Sequence, residues 1–178
     1  MKTKLKDLAI MGANNKDWYD IAQASIKVYA DSIGANSDRI ADILAITSPR
    51  VHVSRNIKIM RAYVEHGTLD GVLPGTKLAL AHYEKTGEIR GPKTKAFAAA
   101  LKADHNAVVL DIWLARALGI PQESLGSKKI HTKSTQRINR VAKQLGWSPR
   151  DTQAAIWAGM YLSYHKKPNV PKLQIRIS

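Results

Sequence analysis

A lysine and an aspartate in the middle of the chain have the types and the setting that covalent chemistry requires. The sequence predicts a helix that starts at Pro92, and Lys93 lies in its first turn. Asp111 follows 18 residues later, where an apolar run ends and another predicted helix begins. A neutral amine can attack an electrophilic carbon, and a carboxylate can stabilise developing positive charge. The pair therefore indicates a site for chemistry on a sugar.

Each of the two residues also has a simpler interpretation. Asp111 stands where an N-cap is expected, and aspartate is a common N-cap without any catalytic role. Lys93 alone is typical of a phosphate contact or of a solvated helix lysine. The spacing leaves both interpretations open.

The charge of the chain indicates a polyanionic partner. The 28 basic and 14 acidic side chains give a formal net charge of +14, and the basic residues recur from Lys2 to Arg176. A folded domain therefore carries the charge, which favours nucleic acid before membrane. A merely soluble basic protein is the alternative. No apolar run approaches the roughly 20 residues that span a bilayer, and the first residues lack the pattern of a signal peptide.

The residue types also limit the cofactors that we expect. The chain has no cysteine, which excludes disulfides and cysteine-ligated zinc or iron–sulfur centres and agrees with a reducing compartment. His52, His105 and His131 do not have the spacing of metal ligands. We therefore expect neither a metal nor another cofactor.

Helical periodicity dominates the chain, so the sequence predicts an all-α fold in a single domain, residues 1–178. Asn15 is a fair N-cap and Gly34 a fair stop for the first helix, and residues 120–134 have the composition of a surface loop. Residues 166–178 form a basic, proline-punctuated tail that we expect to attract phosphate. The predicted helices after the first are 37–46, 50–66, 76–85, 92–103, 111–119, 135–145 and 149–165.

The segment Glu88–Gly91 joins two predicted helices and has the layout of a helix-hairpin-helix, in a hairpin core of residues 76–119. Backbone N–H groups in such a turn, with the next helix N-terminus, can bind a DNA phosphate, and glycine permits the close approach. The residues that we expect to contact DNA are Arg90, Gly91, Thr94 and Lys95 at the hairpin, with Arg50, His52 and Arg55 upstream.

The joint pattern GPKTKAFAAALKADHNAVVLDIWLARALG resembles the core of the helix-hairpin-helix (HhH-GPD) DNA glycosylase superfamily, which includes endonuclease-III-type and 8-oxoguanine glycosylases. Gly91-Pro92-Lys93 matches the end of the hairpin of that superfamily, and Val108–Asp111 matches its apolar run with a closing aspartate. The segment ILAITSPRVHVSRNI resembles an early part of the same fold, so the resemblance covers about residues 37–119. The sequence also resembles short phage and bacterial proteins of unassigned function.

This resemblance implies a two-lobed helical fold and a DNA glycosylase, with or without abasic-site lyase activity. It implies that Asp111 stabilises the sugar cation and that Lys93 is the nucleophile, after a base is rotated out of duplex DNA. We expect a monomer in the cytoplasm of a bacterial or phage-infected cell, associated with the nucleoid. The alternatives are a noncatalytic DNA-binding module and an enzyme that acts on hypermodified pyrimidines.

Three further residues are weaker candidates for a base pocket. Trp113 and Trp157 have the aromatic surface that a base stacks on, although tryptophans on apolar helical faces are more often core residues. Gln153 lies among apolar neighbours on the last predicted helix. A buried amide needs hydrogen-bond partners, so Gln153 reads a base edge or bonds to the backbone.

The charge distribution predicts that affinity for duplex DNA falls steeply as salt increases, because bound lysine and arginine side chains release counterions from phosphates. Fluorescence anisotropy of a labelled duplex, titrated at several salt concentrations, measures this slope. A flat response between low and physiological salt would contradict the nucleic-acid interpretation.

Overall fold

The computed structural model describes residues 4–177, and this part of the chain is helical without any strand. The all-α prediction is confirmed. Two short 3-10 turns, Ala13–Asn15 and Gln122–Ser124, accompany nine α-helices in the described residues. These are α1 Leu5–Met11, α2 Trp18–Ser32, α3 Ser37–Thr47, α4 Val53–His66, α5 Pro74–Thr86, α6 Pro92–Leu101, α7 Ile112–Leu118, α8 Lys128–Leu145 and α9 Pro149–His165.

The prediction of a surface loop over residues 120–134 is wrong for its second half. The helix α8 begins at Lys128, because the hydroxyl of Ser127 accepts a hydrogen bond from the N–H of Ile130 at 3.4 Å and so caps the helix. Ser134, Ile138 and Val141 form its buried face. The basic residues at the start of α8 obscured this pattern, since cations are unfavourable near a helix N-terminus.

Two other helix starts also differ from the predictions. Asn15 belongs to a 3-10 turn and not to an N-cap, and α2 begins at Trp18. The helix α4 begins at Val53 and not at Arg50, because Arg50 has the left-handed φ of 59°, which a right-handed helix excludes. The short helix α1 was not predicted.

The helix α3 lies at the centre of the larger hydrophobic cluster. Eight of its eleven residues are buried, as expected for a helix that is surrounded by others. It packs against α2, α4, α5 and α6. A smaller cluster joins α1, α7 and α8, and α9 contributes residues to both clusters on different faces. The helix α9 therefore separates the two halves of the core.

The helices α1 and α9 touch through glycines. A Cβ atom added to Gly159 would lie 2.1 Å from the carbonyl oxygen of Leu8, and one added to Gly12 would lie 2.0 Å from that of Ala155. These distances are far below van der Waals contact, so only glycine permits the two backbones to approach this closely.

The residues after α9 are more than a basic tail. Val170, Leu173 and Ile175 are buried in the larger cluster, and the indole N–H of Trp18 donates to the carbonyl of Pro171 at 2.8 Å. The described part of the tail is therefore packed on the core, while Lys166, Lys167 and Lys172 stay exposed.

We predict that Gly159→Ala lowers the free energy of unfolding by about 1–3 kcal/mol, because the added methyl group must push α1 away from α9. The matched control is Gly75→Ala in α5, where an added Cβ meets nothing within 4 Å. That variant should be neutral or slightly more stable. Equal effects in urea unfolding would show that the glycine contact between α1 and α9 is not tight.

Candidate functional site

Lys93 and Asp111 line one pocket of about 190 Å³ together with Trp113, Gln153 and Trp157. The structure thus brings together both predicted catalytic residues and all three candidate base-pocket residues. The pocket is smaller than the roughly 300–1,000 Å³ of sites for drug-sized ligands. Its size suits a single heterocycle.

The extended run before α7 places Asp111 in the pocket. Side chains alternate between the two sides of an extended backbone. Val108 and Leu110 accordingly pack in the smaller hydrophobic cluster, whereas Val109 packs in the larger one and lines the pocket. Asp111 follows Val109 by two residues and lines the pocket on the same side.

Asp111 caps α7 and also belongs to the pocket. Its Oδ1 accepts a hydrogen bond from the N–H of Leu114 at 2.8 Å. The simpler interpretation of Asp111 as an N-cap is therefore correct, and it does not exclude the other role. The cap fixes the orientation of the carboxyl group at the pocket wall.

Lys93 reaches the pocket from the first turn of α6. Phe97 follows it by four residues, on the same helix face, and lines the pocket beside it. Pro92 at the first position fixes the backbone there, since its ring presets a helical φ. Lys93 is half-buried, unlike the exposed Lys95 of the same helix.

Burial pushes both charged groups of the pocket toward their neutral forms. It lowers the pKa of Lys93, while the charge of Asp111 opposes that shift. Burial also raises the pKa of Asp111. The hydrogen bond from the N–H of Leu114 opposes this shift most, and the charge of Lys93 comes next. Among the described ion pairs, none joins Lys93 directly to Asp111. Both groups line the pocket without being paired to each other.

Aromatic rings form most of the apolar wall. Trp157 contacts Trp18 with ring centroids 5.8 Å apart and stacks on Tyr161 at 5.7 Å. Trp113 meets Tyr161 edge to face at 5.4 Å. Such packed rings are rigid and present flat faces, on which a planar heterocycle can stack.

Gln153 offers the pocket a hydrogen-bond donor. Its Oε1 accepts from the hydroxyl of the buried Tyr19 at 3.0 Å, whereas its amide nitrogen has no acceptor among the described residues. Burial, and then the charge of Asp111, raises the pKa of Tyr19, so this hydroxyl stays protonated and keeps donating. The amide nitrogen is thus left for an acceptor atom on a bound molecule.

A fully buried arginine holds this arrangement in place. The guanidinium of Arg150 contacts the carboxylate of Asp20, donates to the carbonyl of Ala100 at 3.2 Å and lies 5.8 Å from the ring centroid of Tyr19. Its Nε lies 3.5 Å from Asp151 without a hydrogen bond. Arg150 therefore ties the start of α9 to the start of α2 and the end of α6.

A second, shallow groove lies at the starts of α5 and α6. Arg50, Arg90 and Thr94 line it together, as three of the residues predicted to contact DNA. Gly91 is the N-cap of α6 and supplies no side-chain cap, so the first N–H groups of the helix lack that partner. The φ of 84° and ψ of 139° at Gly91 are essentially restricted to glycine, so any other residue there strains the turn itself.

The other predicted DNA contacts are more scattered. His52 caps α4 by accepting from the N–H of Ser54 at 3.4 Å, and it lines the main pocket. Arg55 donates to the carbonyl of Gly71 at 3.3 Å. Lys95 lines a separate groove between α6 and α8. The structure does not bring these three residues together with Arg50 and Arg90.

Sequence reasoning missed several residues of the pocket. Tyr19 and Trp18 start α2, Asn56 lies in α4, and Pro171 and Leu173 come from the tail. Asn56 is held by a 2.6 Å hydrogen bond from Thr47 and by its own donation to Leu44 at 3.0 Å. Trp18 lies within the first predicted helix, but the other contacts cross long separations that have no local signal.

The residues that the structure describes include no cluster of side chains suited to hold a metal ion. Nor does any helix in the described range have the length and the apolar character to cross a membrane.

Comparison with known proteins gives one match. The model of a family of unknown function, DUF7178, matches residues 9–162. The chain belongs to this family. No curated protein and no solved structure matches the chain. The matched range includes every helix of the pocket and excludes only the pocket residues of the tail.

The raised pKa of Asp111 predicts a pH-dependent cost to stability. Because the folded protein binds this proton more tightly, its free energy of unfolding falls as the pH rises above the unfolded value of about 3.9. Asp111→Asn keeps the cap, since asparagine caps nearly as well. The variant should be more stable than wild type at neutral pH and lose that advantage below about pH 4.

Urea unfolding across this pH range measures the difference. Asp31→Asn makes the same change at an exposed position of α2 and is the matched control. A constant difference between Asp111→Asn and wild type at every pH would mean that the carboxyl group of Asp111 is not desolvated.

Proposed function

We propose that this protein is a DNA glycosylase of the helix-hairpin-helix type, which flips a damaged or modified base out of DNA and excises it. The observation that carries the proposal is the convergence of Lys93 and Asp111 in one aromatic pocket. Their types and spacing in the sequence single out these two residues. Lys93 lies in α6, whereas Asp111 caps α7. The proposal includes the two-lobed HhH-GPD fold.

Asp111 has the position to assist the loss of the base. As the glycosidic bond breaks, the base leaves with the bonding electrons and the deoxyribose becomes positively charged. An ionised carboxylate next to the sugar stabilises that charge more strongly in a pocket with little water than in solution. Because Leu114 holds Oδ1 of Asp111 in place, little reorganisation is needed when the charge appears.

Lys93 has the features of a nucleophile. Burial lowers its pKa, so a larger share of the amine is neutral and carries a free electron pair. That pair forms a bond to the sugar C1′ as the base leaves. The C1′–O4′ bond then breaks, O4′ takes up a proton that the amine loses, and C1′ and the nitrogen form a Schiff base. β-Elimination from this intermediate then breaks the bond to the 3′ phosphate oxygen and cleaves the strand.

The pocket has suitable groups for a flipped base. The rings of Trp18, Trp157 and Tyr161 supply stacking faces, and the amide nitrogen of Gln153 supplies one donor for an acceptor on the base. The second groove, with Arg50, Arg90 and the first N–H groups of α6, suits the phosphates of the backbone.

The test is base excision with borohydride trapping. The substrates are duplexes that carry uracil, an oxidised purine, an alkylated base, a phage-type modified pyrimidine or an abasic site. We expect wild type to release one of these bases and, where Lys93 attacks, to leave a covalent adduct after reduction. Asp111→Asn should abolish base release while DNA affinity stays equal or rises, because a negative charge is removed. Lys93→Gln should abolish trapping and strand cleavage.

Matched controls separate chemistry from charge. Lys85→Gln and Asp31→Asn make the same changes at exposed positions of α5 and α2, and both should retain activity. If wild type neither releases a base nor cleaves the abasic strand in any duplex, the protein is a noncatalytic DNA-binding module. If Asp111→Asn is fully active, the assignment of Asp111 is wrong.

A further inference from the structure

The helix α8 carries an unbalanced cationic face. Its 18 residues include six basic side chains and no acidic one, and the chain has no acidic residue between Glu123 and Asp151. All six are exposed, namely Lys128, Lys129, Lys133, Arg137, Arg140 and Lys143. In the part of the chain that the structure describes, none of the six forms an ion pair.

The arrangement of these cations is unfavourable for the isolated protein. Lys129, Lys133 and Arg137 follow one another at intervals of four residues, and Arg140 and Lys143 follow at intervals of three. Residues at these spacings are neighbours on a helix surface, where like charges repel. A bound polyanion would relieve this repulsion.

The position of α8 relative to the pocket makes this face a separate surface. Gln153, Trp157 and Tyr161 line the pocket from one face of α9, whereas Ala155 and Ile156 pack toward α8 in the smaller cluster. The helix α9 therefore lies between the pocket and α8.

A groove connects this surface to the hairpin helix. Lys95 of α6 and Thr132 and Gln136 of α8 line it together. His131, whose buried Nε2 has no hydrogen-bond partner, and the carboxylate of Asp104 also line the groove. The groove therefore joins Lys95 of α6 to the polar side chains of α8, and Asp104 is the one carboxylate among the described residues of its lining.

We propose that the outward face of α8 binds the phosphate backbone of nucleic acid, and that it extends the interface from the hairpin across the groove to α8. This proposal depends on the nucleic-acid-binding part of the proposed function and not on the chemistry of the pocket. Every exposed residue of α8 is polar, so the face lacks the apolar side chains with which an amphipathic helix enters a membrane. The helix is roughly 27 Å long and spans several phosphates.

The test compares two triple variants of equal charge. One carries Lys129→Gln, Lys133→Gln and Arg140→Gln in α8, and the control carries Lys6→Gln, Lys27→Gln and Lys58→Gln at exposed positions of α1, α2 and α4. Anisotropy titrations with an unmodified 30-base-pair duplex measure log Kd against log salt. Three lost phosphate contacts should reduce the slope by about 2–3 and weaken binding at least roughly tenfold at low salt.

The control triple should change the slope by less than one unit. Equal effects of the two triples, or no effect of either, would overturn the proposal. The α8 triple should also unfold at an equal or higher temperature without DNA, which excludes loss of folding as the cause. If the α8 triple instead loses binding to anionic vesicles while its DNA slope is unchanged, a membrane is the ligand and the proposal fails.

The excision assay separates this proposal from the proposed function. Loss of base excision in every substrate would leave the α8 result unaffected, because the duplex in the binding assay carries no target base. Absence of DNA binding by wild type would overturn both.

Discussion

The ion pair between Arg150 and Asp20 sets the geometry on which the pocket depends. A fully buried guanidinium needs partners for its charge, and here the terminal N–H groups of Arg150 find them in α2 and α6. These elements carry Trp18, Tyr19 and Lys93, while Arg150 itself starts the helix that carries Gln153. The starts of α2 and α9 and the end of α6 are therefore fixed relative to one another.

The pocket buries Lys93 and Asp111, and burial disfavours the charged form of each side chain. The attraction between the two groups and the backbone N–H groups near Asp111, that of Leu114 first, oppose this desolvation. A structural ion pair would bring the two groups into contact and remove much of this cost. Their separation within an aromatic wall instead leaves this cost in place, which lowers the stability of the fold.

Local patterns predicted the helical class, the apolar run that ends at Asp111 and the helix start at Pro92, whereas the pairing of Asp111 with Lys93 was an inference from their spacing and from the resemblance. They worked because apolar periodicity, proline at the start of a helix and a capping aspartate act within a few residues. The helix α8 was partly missed because its signal is a single cap, Ser127, followed by unfavourable charges. The contact of Arg150 with Asp20 joins residues 130 positions apart, and the Pro171 carbonyl meets Trp18 across 153. A sequence pattern within a few residues cannot predict partners at such separations.

The glycine contact between α1 and α9 has a consequence for biosynthesis. The surface that receives α1 contains Ala155 and Gly159, so it is absent from the nascent chain until α9 has been synthesised. During translation Leu8 and Ala9, which are buried in the folded protein, stay without their partners. The order in which a ribosome delivers the helices thus means that α1 makes this contact only after α9 has emerged, although α1 precedes α9 in the chain.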